Sequence, residues 1–204
     1  MVVGSGIAAQ RLSPNDIGLQ LLENACATAL GLTVLILVFA PLSGAHFNPV
    51  VSLVDALLGH RTWSEVARYI PAQVIGCIAG SILANLMFAE HAVTLSTTDR
   101  LSASHLLAEV VATAGLVLVI FALARTGHSA LAAPAVGAYI GSAYFFTSSA
   151  SFANPAITIG RMFTDTFAGI APGSAGGYIG AQLVGAVIGC GAVRLLFPRD
   201  GSRE

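Results

Sequence analysis

Lysine is absent from this 204-residue chain, and acidic and basic residues together make up only 9% of it. A soluble domain carries roughly a quarter charged residues, so a chain this poor in charge is solvated mainly by lipid. Its nine basic residues, all arginine, nearly balance ten acidic ones to leave a net charge of -1. With that balance the chain as a whole does not read as a nucleic-acid binder. The preference for arginine accompanies abundant alanine and glycine and reads as genome composition. Cysteine is scarce too: Cys26, Cys77 and Cys190 lie in apolar stretches without paired spacing or a neighbouring histidine. They read as free thiols, which excludes a disulfide or metal framework. No basic region precedes an apolar core in the N-terminal stub, so the stub does not read as a signal peptide. Neither a Ser–His nor a metal-ligand pairing is recognisable, and the sequence predicts no enzyme, no catalytic residue and no metal.

What the chain has is apolar length. Crossing the hydrocarbon takes roughly 20 apolar residues in a helix, and segments 18–42, 65–89, 104–124, 129–149 and 175–197 qualify. Gly31, Gly76, Gly80, Gly115, Gly137, Gly141, Gly180, Gly185 and Gly189 recur in them, as close packing between membrane helices requires. Two shorter segments, 48–58 and 154–163, begin at Asn48-Pro49-Val50 and Asn154-Pro155-Ala156. Asparagine is a preferred N-cap and proline is favoured at the first helical position, so each is predicted to be a re-entrant half-helix.

The two Asn-Pro sites sit in matching frames, Ser43 to Pro49 against Ser149 to Pro155 and Tyr69 to Gly76 against Tyr178 to Gly185. The expectation is a single channel domain over 1–204, with one repeat over 1–90 and a second over 104–197. The second half holds a complete set of spans. The first is preceded only by an apolar stub from Val2 to Gln10, under half a span, which reads as the tail of a first helix and predicts a longer natural N-terminus. Arg61, Arg68, Arg125, Arg194, Arg199 and Arg203 fall on one side of this topology; Arg11, Arg100 and Arg161 fall on the other. The positive-inside rule puts the former side and the C-terminus in the cytoplasm. Inverted halves bring the half-helix N-termini together near the midplane, each with roughly half a positive charge. Broken backbone at that depth is tolerable around a water-filled cavity, so the repeat predicts a cation-excluding pore for neutral solutes.

Ser43-Gly44-Ala45-His46-Phe47-Asn48-Pro49-Val50 with Asn154-Pro155-Ala156 resembles the paired motif of the aquaporin and aquaglyceroporin family, and Glu109-Val110-Val111-Ala112-Thr113 resembles its Glu-x-x-x-Thr. The resemblance covers essentially the whole chain. It implies an all-α membrane fold of six spans, here five with the first truncated, plus two half-helices. It also implies a homotetramer with one pore per subunit in a lipid bilayer, without cofactor, and structural roles for Glu109 and Thr113. In this family four positions set the outer constriction; counted along the motifs without gaps they fall on Thr28, Ser142, Ser151 and Ile157. Ile157 stands where most members have arginine, and Val50 where alanine is usual. A filter without that guanidinium reads as wide and weakly polar, and points to solutes larger than water. The run from Ile157 to Phe163 resembles a bacterial, arsenic-resistance-linked branch. That implies the inner membrane of a bacterium, with polyols, neutral metalloid acids or organoarsenicals as cargo.

Several side chains admit two readings. His46 either lines the cytoplasmic vestibule or bonds loop backbone. Arg161, at i+4 from Ile157, either leans into the outer mouth as a displaced filter charge or sits at its half-helix C-terminus with Asp165 as partner. Asp55 calls for a partner among His60, Arg61 and Arg68. Glu109 is expected to brace loop amides, and Gln73 and Gln182 to hold helix contacts. Competing classes are an inverted-repeat secondary transporter, though no ionisable coupling group adjoins either Asn-Pro pair, and a nonfunctional fragment.

Overall fold

The computed structural model describes residues 1–198; Arg199 and Arg203, used above to orient the chain, lie outside them. Among the described residues every regular element is helical. The order is α1 (Val2–Leu12), α2 (Ile17–Ser43), α3 (Pro49–Leu57), α4 (Trp63–Met87), α5 (Ala103–Arg125), α6 (Ala132–Phe146), α7 (Pro155–Gly160) and α8 (Pro172–Leu196). A 3₁₀ turn leads into α6, and another, Arg161–Phe163, extends α7. Five helices, α2, α4, α5, α6 with its leading turn, and α8, are long and apolar enough to cross a membrane. This is an all-α membrane fold with two short half-helices. The predicted span 129–149 is shorter than expected: α6 stops at Phe146, because Thr147 leaves helical geometry to start the loop into α7.

Side chains explain the helix ends. Asp16 accepts from Leu19 N, Ser102 from His105 N, and Thr62 with Glu65 forms a reciprocal capping box; such caps contribute about 1 kcal/mol each. α1 is the segment read as a stub. At 11 residues it is roughly 16 Å long, half the hydrocarbon thickness, and it buries Val3 and Ile7 against Ala84 of α4 and Ala168.

Glycine sets the spacing of the spans. A Cβ at Gly185 would lie 2.5 Å from Val110 O, and one at Gly189 2.7 Å from Ala114 O, so α8 rides directly on the backbone of α5. Gly137 and Gly141 do the same for α6 on α2, where the Ala29 carbonyl would sit 2.5 Å from a Cβ at Gly137. In lipid, where apolar burial gives little, this close van der Waals contact drives association. The outer surface carries side chains such as Leu30, Leu42 and Leu195, which are more than two-thirds exposed, as a lipid-facing surface should be.

Both half-helices pack into this frame. Val50, Val51, Val54 and Leu58 form a core with Val117 and Phe121 of α5 and Ala186, Cys190 and Val193 of α8. The extra bulk of Val50 is therefore taken up by the core. Gly160 of α7 lies against Cys77 of α4, whose carbonyl would be 2.8 Å from a Cβ there.

Candidate functional site: the junction of the two half-helices

The starts of α3 and α7 clasp one another. Asn48 Oδ1 caps α3 by accepting from Val50 N at 3.1 Å, while its Nδ2 donates to Ala153 O at 2.7 Å. Asn154 mirrors this: Oδ1 accepts from Ala156 N at 2.9 Å and Ile157 N at 3.3 Å, and Nδ2 donates to Phe47 O at 2.8 Å. Each asparagine thus satisfies its own helix with one end and holds the opposite loop with the other. An amide nitrogen has two hydrogens, so each keeps a second donor beyond the clasp. Pro49 and Pro155 take the first helical positions and are buried.

The loops before the asparagines are bent by residues in the left-handed region. Ala45 has φ 51, Ala150 57, Ser151 45 and Ala153 48; a non-glycine residue there costs roughly 1–3 kcal/mol. In the second half Glu109 holds the loop. It is fully buried on α5; Oε1 accepts from Ser149 Oγ at 2.6 Å and Phe152 N at 2.9 Å, and Oε2 from Ala153 N at 2.8 Å and Gln182 Nε2 at 2.7 Å. Gln182 also donates to Thr158 Oγ1 at 2.9 Å, and in the first half Gln73 donates to Ser52 Oγ at 3.0 Å and to His46 O. Thr113 is buried where α5 meets Gly185.

A cavity of about 410 Å³ opens at each end of the fold. The one on the side that the arginine distribution assigns to the cytoplasm, named inner on that expectation and its counterpart outer, is lined by His46, Asp55 and His60 together with apolar residues of α2, α5 and α6. Asp55 is held by His60 Nδ1 at 3.1 Å and Arg61 Nε at 3.2 Å, with His46 Nε2 at 3.7 Å; Arg68 is engaged elsewhere, with Ser64 O. The His46 ring lines this cavity and meets Ser52 Oγ at 3.3 Å.

The outer cavity differs from the counted filter. Its wall includes Gln20, Leu21, Thr98, Arg100, Tyr144 and Arg161, and none of Thr28, Ser142, Ser151 and Ile157. Thr28 reaches it through Tyr144, their hydroxyls 3.4 Å apart. Ser142 is exposed and donates to Tyr139 O. At about 100° per residue it lies roughly 200° around α6 from buried Ile140, on the side of the exposed Phe145 and Phe146. Tyr144 is the α6 residue that faces Thr28; the buried series Val136, Ile140, Tyr144 was the signal for it, and counting along the motif missed it. Ser151 is buried with no hydroxyl partner among the described residues, and Ile157 is half-buried.

Arg161 is buried with its Cζ over the Phe152 ring, 3.5 Å from the centroid, and with Nε donating to Ala168 O. The expected partner Asp165 instead accepts from Thr97 N at 2.9 Å and from its hydroxyl. Arg161 also lines the cavity with Arg100 and Tyr144.

The sequence matches the model of the family described as Major intrinsic protein over residues 1–153. The chain belongs to that family. Members are passive channels and not enzymes, which settles its broad class as a multi-pass membrane transport protein. Among relatives it is 48% identical over 195 residues to the aquaglyceroporin AqpS of Rhizobium meliloti (strain 1021), spanning 96% of this chain and 83% of that protein. It is 32% identical over 207 residues to aquaporin NIP1-1 of Zea mays, covering 96% of this chain and 70% of the maize protein. The fold superposes on the X-ray structure of the aquaglyceroporin from Plasmodium falciparum with a TM-score of 0.68 at 23% identity, covering 95% of this chain and 89% of that one. The family's architecture, with its junction of two half-helices, is therefore the frame in which this member's cavities and asparagines work.

Proposed function

We propose that this family member conducts small neutral solutes larger than water, of the size of glycerol, down their gradients. The observation that carries the reading is the reciprocal asparagine clasp set between two cavities of about 410 Å³. The names of its relatives support solutes of this class. Four groups at the clasp carry roles. The spare Nδ2 hydrogens of Asn48 and Asn154 donate to a passing oxygen, and the positive ends of α3 and α7, started by Pro49 and Pro155, reject cations. Thr28 with Tyr144 narrows the passage on the outer side, and Ile157 leaves it without a guanidinium at the position after the second motif. Undissociated metalloid acids and organoarsenicals have the same neutral, oxygen-rich character and belong to the same cargo class. The working assembly is a homotetramer in a bacterial inner membrane, with the Arg61–Arg68 side and the C-terminus in the cytoplasm.

Stopped-flow swelling of proteoliposomes tests this reading. Glycerol flux above that of empty vesicles, rising linearly with the gradient and independent of any ion gradient, is the expected result. Saturating flux driven by a proton or sodium gradient would replace the channel with a secondary transporter.

A further inference from the structure

We infer that Ser52 is a positioning residue for conduction, joining the ionisable groups of the inner cavity to Asn48 so that their charge is felt at the clasp. The inference rests on the channel reading above. Asn48, Ser52 and Asp55 are spaced four and three residues apart, which puts them on one face of α3. Ser52 is fully buried, and its hydroxyl oxygen accepts from Gln73 Nε2 at 3.0 Å. Its single hydrogen has two acceptors within reach, His46 Nδ1 at 3.3 Å and Asn48 O at 3.5 Å. The other nitrogen of that ring, Nε2, lies 3.7 Å from Asp55 Oδ2. A polar chain thus runs from Asp55 through His46 and Ser52 to Asn48.

The matched position in the second half is built differently. Thr158 follows Asn154 as Ser52 follows Asn48; it donates to Asn154 O at 2.9 Å and accepts from Gln182 Nε2 at 2.9 Å. Its alternative acceptor, Gln182 Oε1 at 3.4 Å, is a neutral amide. The second asparagine is therefore bonded to a settled hydroxyl and the first to a shared one. A hydroxyl has one hydrogen and two lone pairs. While His46 is neutral with Nδ1 bare, Ser52 donates to that nearer acceptor, and Nε2–H faces Asp55. A second proton on the ring makes Nδ1 a donor. Ser52 then accepts from it, keeps Gln73 on the other lone pair and turns its hydrogen to Asn48 O. The first turn of α3 gains a bond at the residue that caps it. The groups that set this charge are Asp55 of α3, His60 and Arg61 of the next loop, both bonded to Asp55, and Tyr69 of α4. The Tyr69 ring is 6.1 Å from that of His46 and 4.4 Å from Arg61 Cζ. The parts of the cavity wall from α2, α5 and α6 with its leading turn hold no titratable group.

The test follows nitrogen resonances of the full chain in lipid nanodiscs and glycerol flux in proteoliposomes, from about pH 8 to about pH 5, where imidazole titrates. In the wild type the side-chain amide signal of Asn48 should move with the ring nitrogens of His46, while that of Asn154 stays still. Ser52→Ala should uncouple the two, Ser52→Thr should restore the coupling, and Thr158→Ala should leave it in place. Glycerol flux should change about fivefold over the same range, the weight of one hydrogen bond, and should be flat with pH in Ser52→Ala. A merely structural Ser52 would lower the thermal midpoint and the level of flux in Ser52→Ala but leave the pH profile intact, and that result overturns the inference. If Ser52→Ala does not fold, the wild type decides: a bare Nδ1 in the neutral ring and an Asn48 amide that follows its titration support the coupling. A neutral ring protonated at Nδ1, or an Asn48 amide indifferent to His46, sinks it. A chain that passes no glycerol at any pH refutes the channel reading, and the resonances still judge Ser52 on their own.

Discussion

Replacing Glu109 with glutamine should unlock the loop that carries Ala153. The carboxylate accepts four hydrogen bonds and donates none. A glutamine keeps one oxygen, so its NH₂ must face one backbone N–H, that of Phe152 or of Ala153, whichever way the amide is turned, while the Ser149 hydroxyl or a turned Gln182 amide can accept from it. Hydrogen bonds to a charged group are worth about 1.5–3 kcal/mol each, so losing that one removes about 1.5–3 kcal/mol, and the bonds that remain lose their charge. Together these are a large share of a typical stability of about 5–15 kcal/mol. The strain held at Ala150, Ser151 and Ala153 would then relax, shifting the carbonyl of Ala153 away from Asn48 Nδ2. The expected readouts are a thermal midpoint in detergent lowered by roughly 10 °C and solute flux reduced in any protein that stays folded. Glu109→Asp, which keeps the charge on a shorter arm, should fall between. A Glu109→Gln protein with wild-type midpoint and flux would refute the bracing role and the reasoning about loop strain.

Asn48→Asp and Asn154→Asp should weaken cation rejection, because a carboxylate offsets the roughly half-charge at a helix end; proton and sodium leak in proteoliposomes measures it, and unchanged leak in both folded variants counts against the barrier. Gly189→Leu should prevent assembly or cost several kcal/mol, about the penalty of overpacking and more, since its Cβ alone would lie 2.7 Å from Ala114 O; exposed Gly173, with nothing near its would-be Cβ, should tolerate alanine without loss, and both are read by size-exclusion profile and thermal midpoint. Asp99, outside the spans, accepts from Ser174 Oγ and Leu101 N, and these bonds hold its carboxyl below the ordinary 3.8. Its contribution is therefore present above that value and lost as pH falls through the lower folded value, so acid should loosen the wild-type outer loop more than Asp99→Asn, as amide exchange at Arg100 and Leu101 would report.

The spans and half-helices were legible because both rest on local chemistry: runs of apolar residues, and asparagine followed by proline. Glu109 was legible as well, since a carboxylate within a span must find donors. The cavity walls were not. Counting positions along a motif placed the outer constriction at Ser142, whereas helical phase puts Tyr144 on the inner face and Ser142 outside. The position of Arg161 turns on Phe152 and Ala168, which are apolar or backbone partners that give no sign in a string of letters. Its pairing with Asp165 looked natural in sequence and is replaced in space by Thr97, contributed by the loop before α5. Long-range choices of this kind are decided by packing among several elements, and one sequence does not display them.

The central claim is that the clasped asparagines sit in a passive pore wide enough for glycerol. The most direct measurement is glycerol permeability of proteoliposomes containing the 204-residue chain, taken across a range of gradients alongside proton leak. The account predicts glycerol flux well above empty vesicles, linear in the gradient, with no added proton leak. Glycerol flux equal to that of empty vesicles, or flux accompanied by proton current, would contradict it.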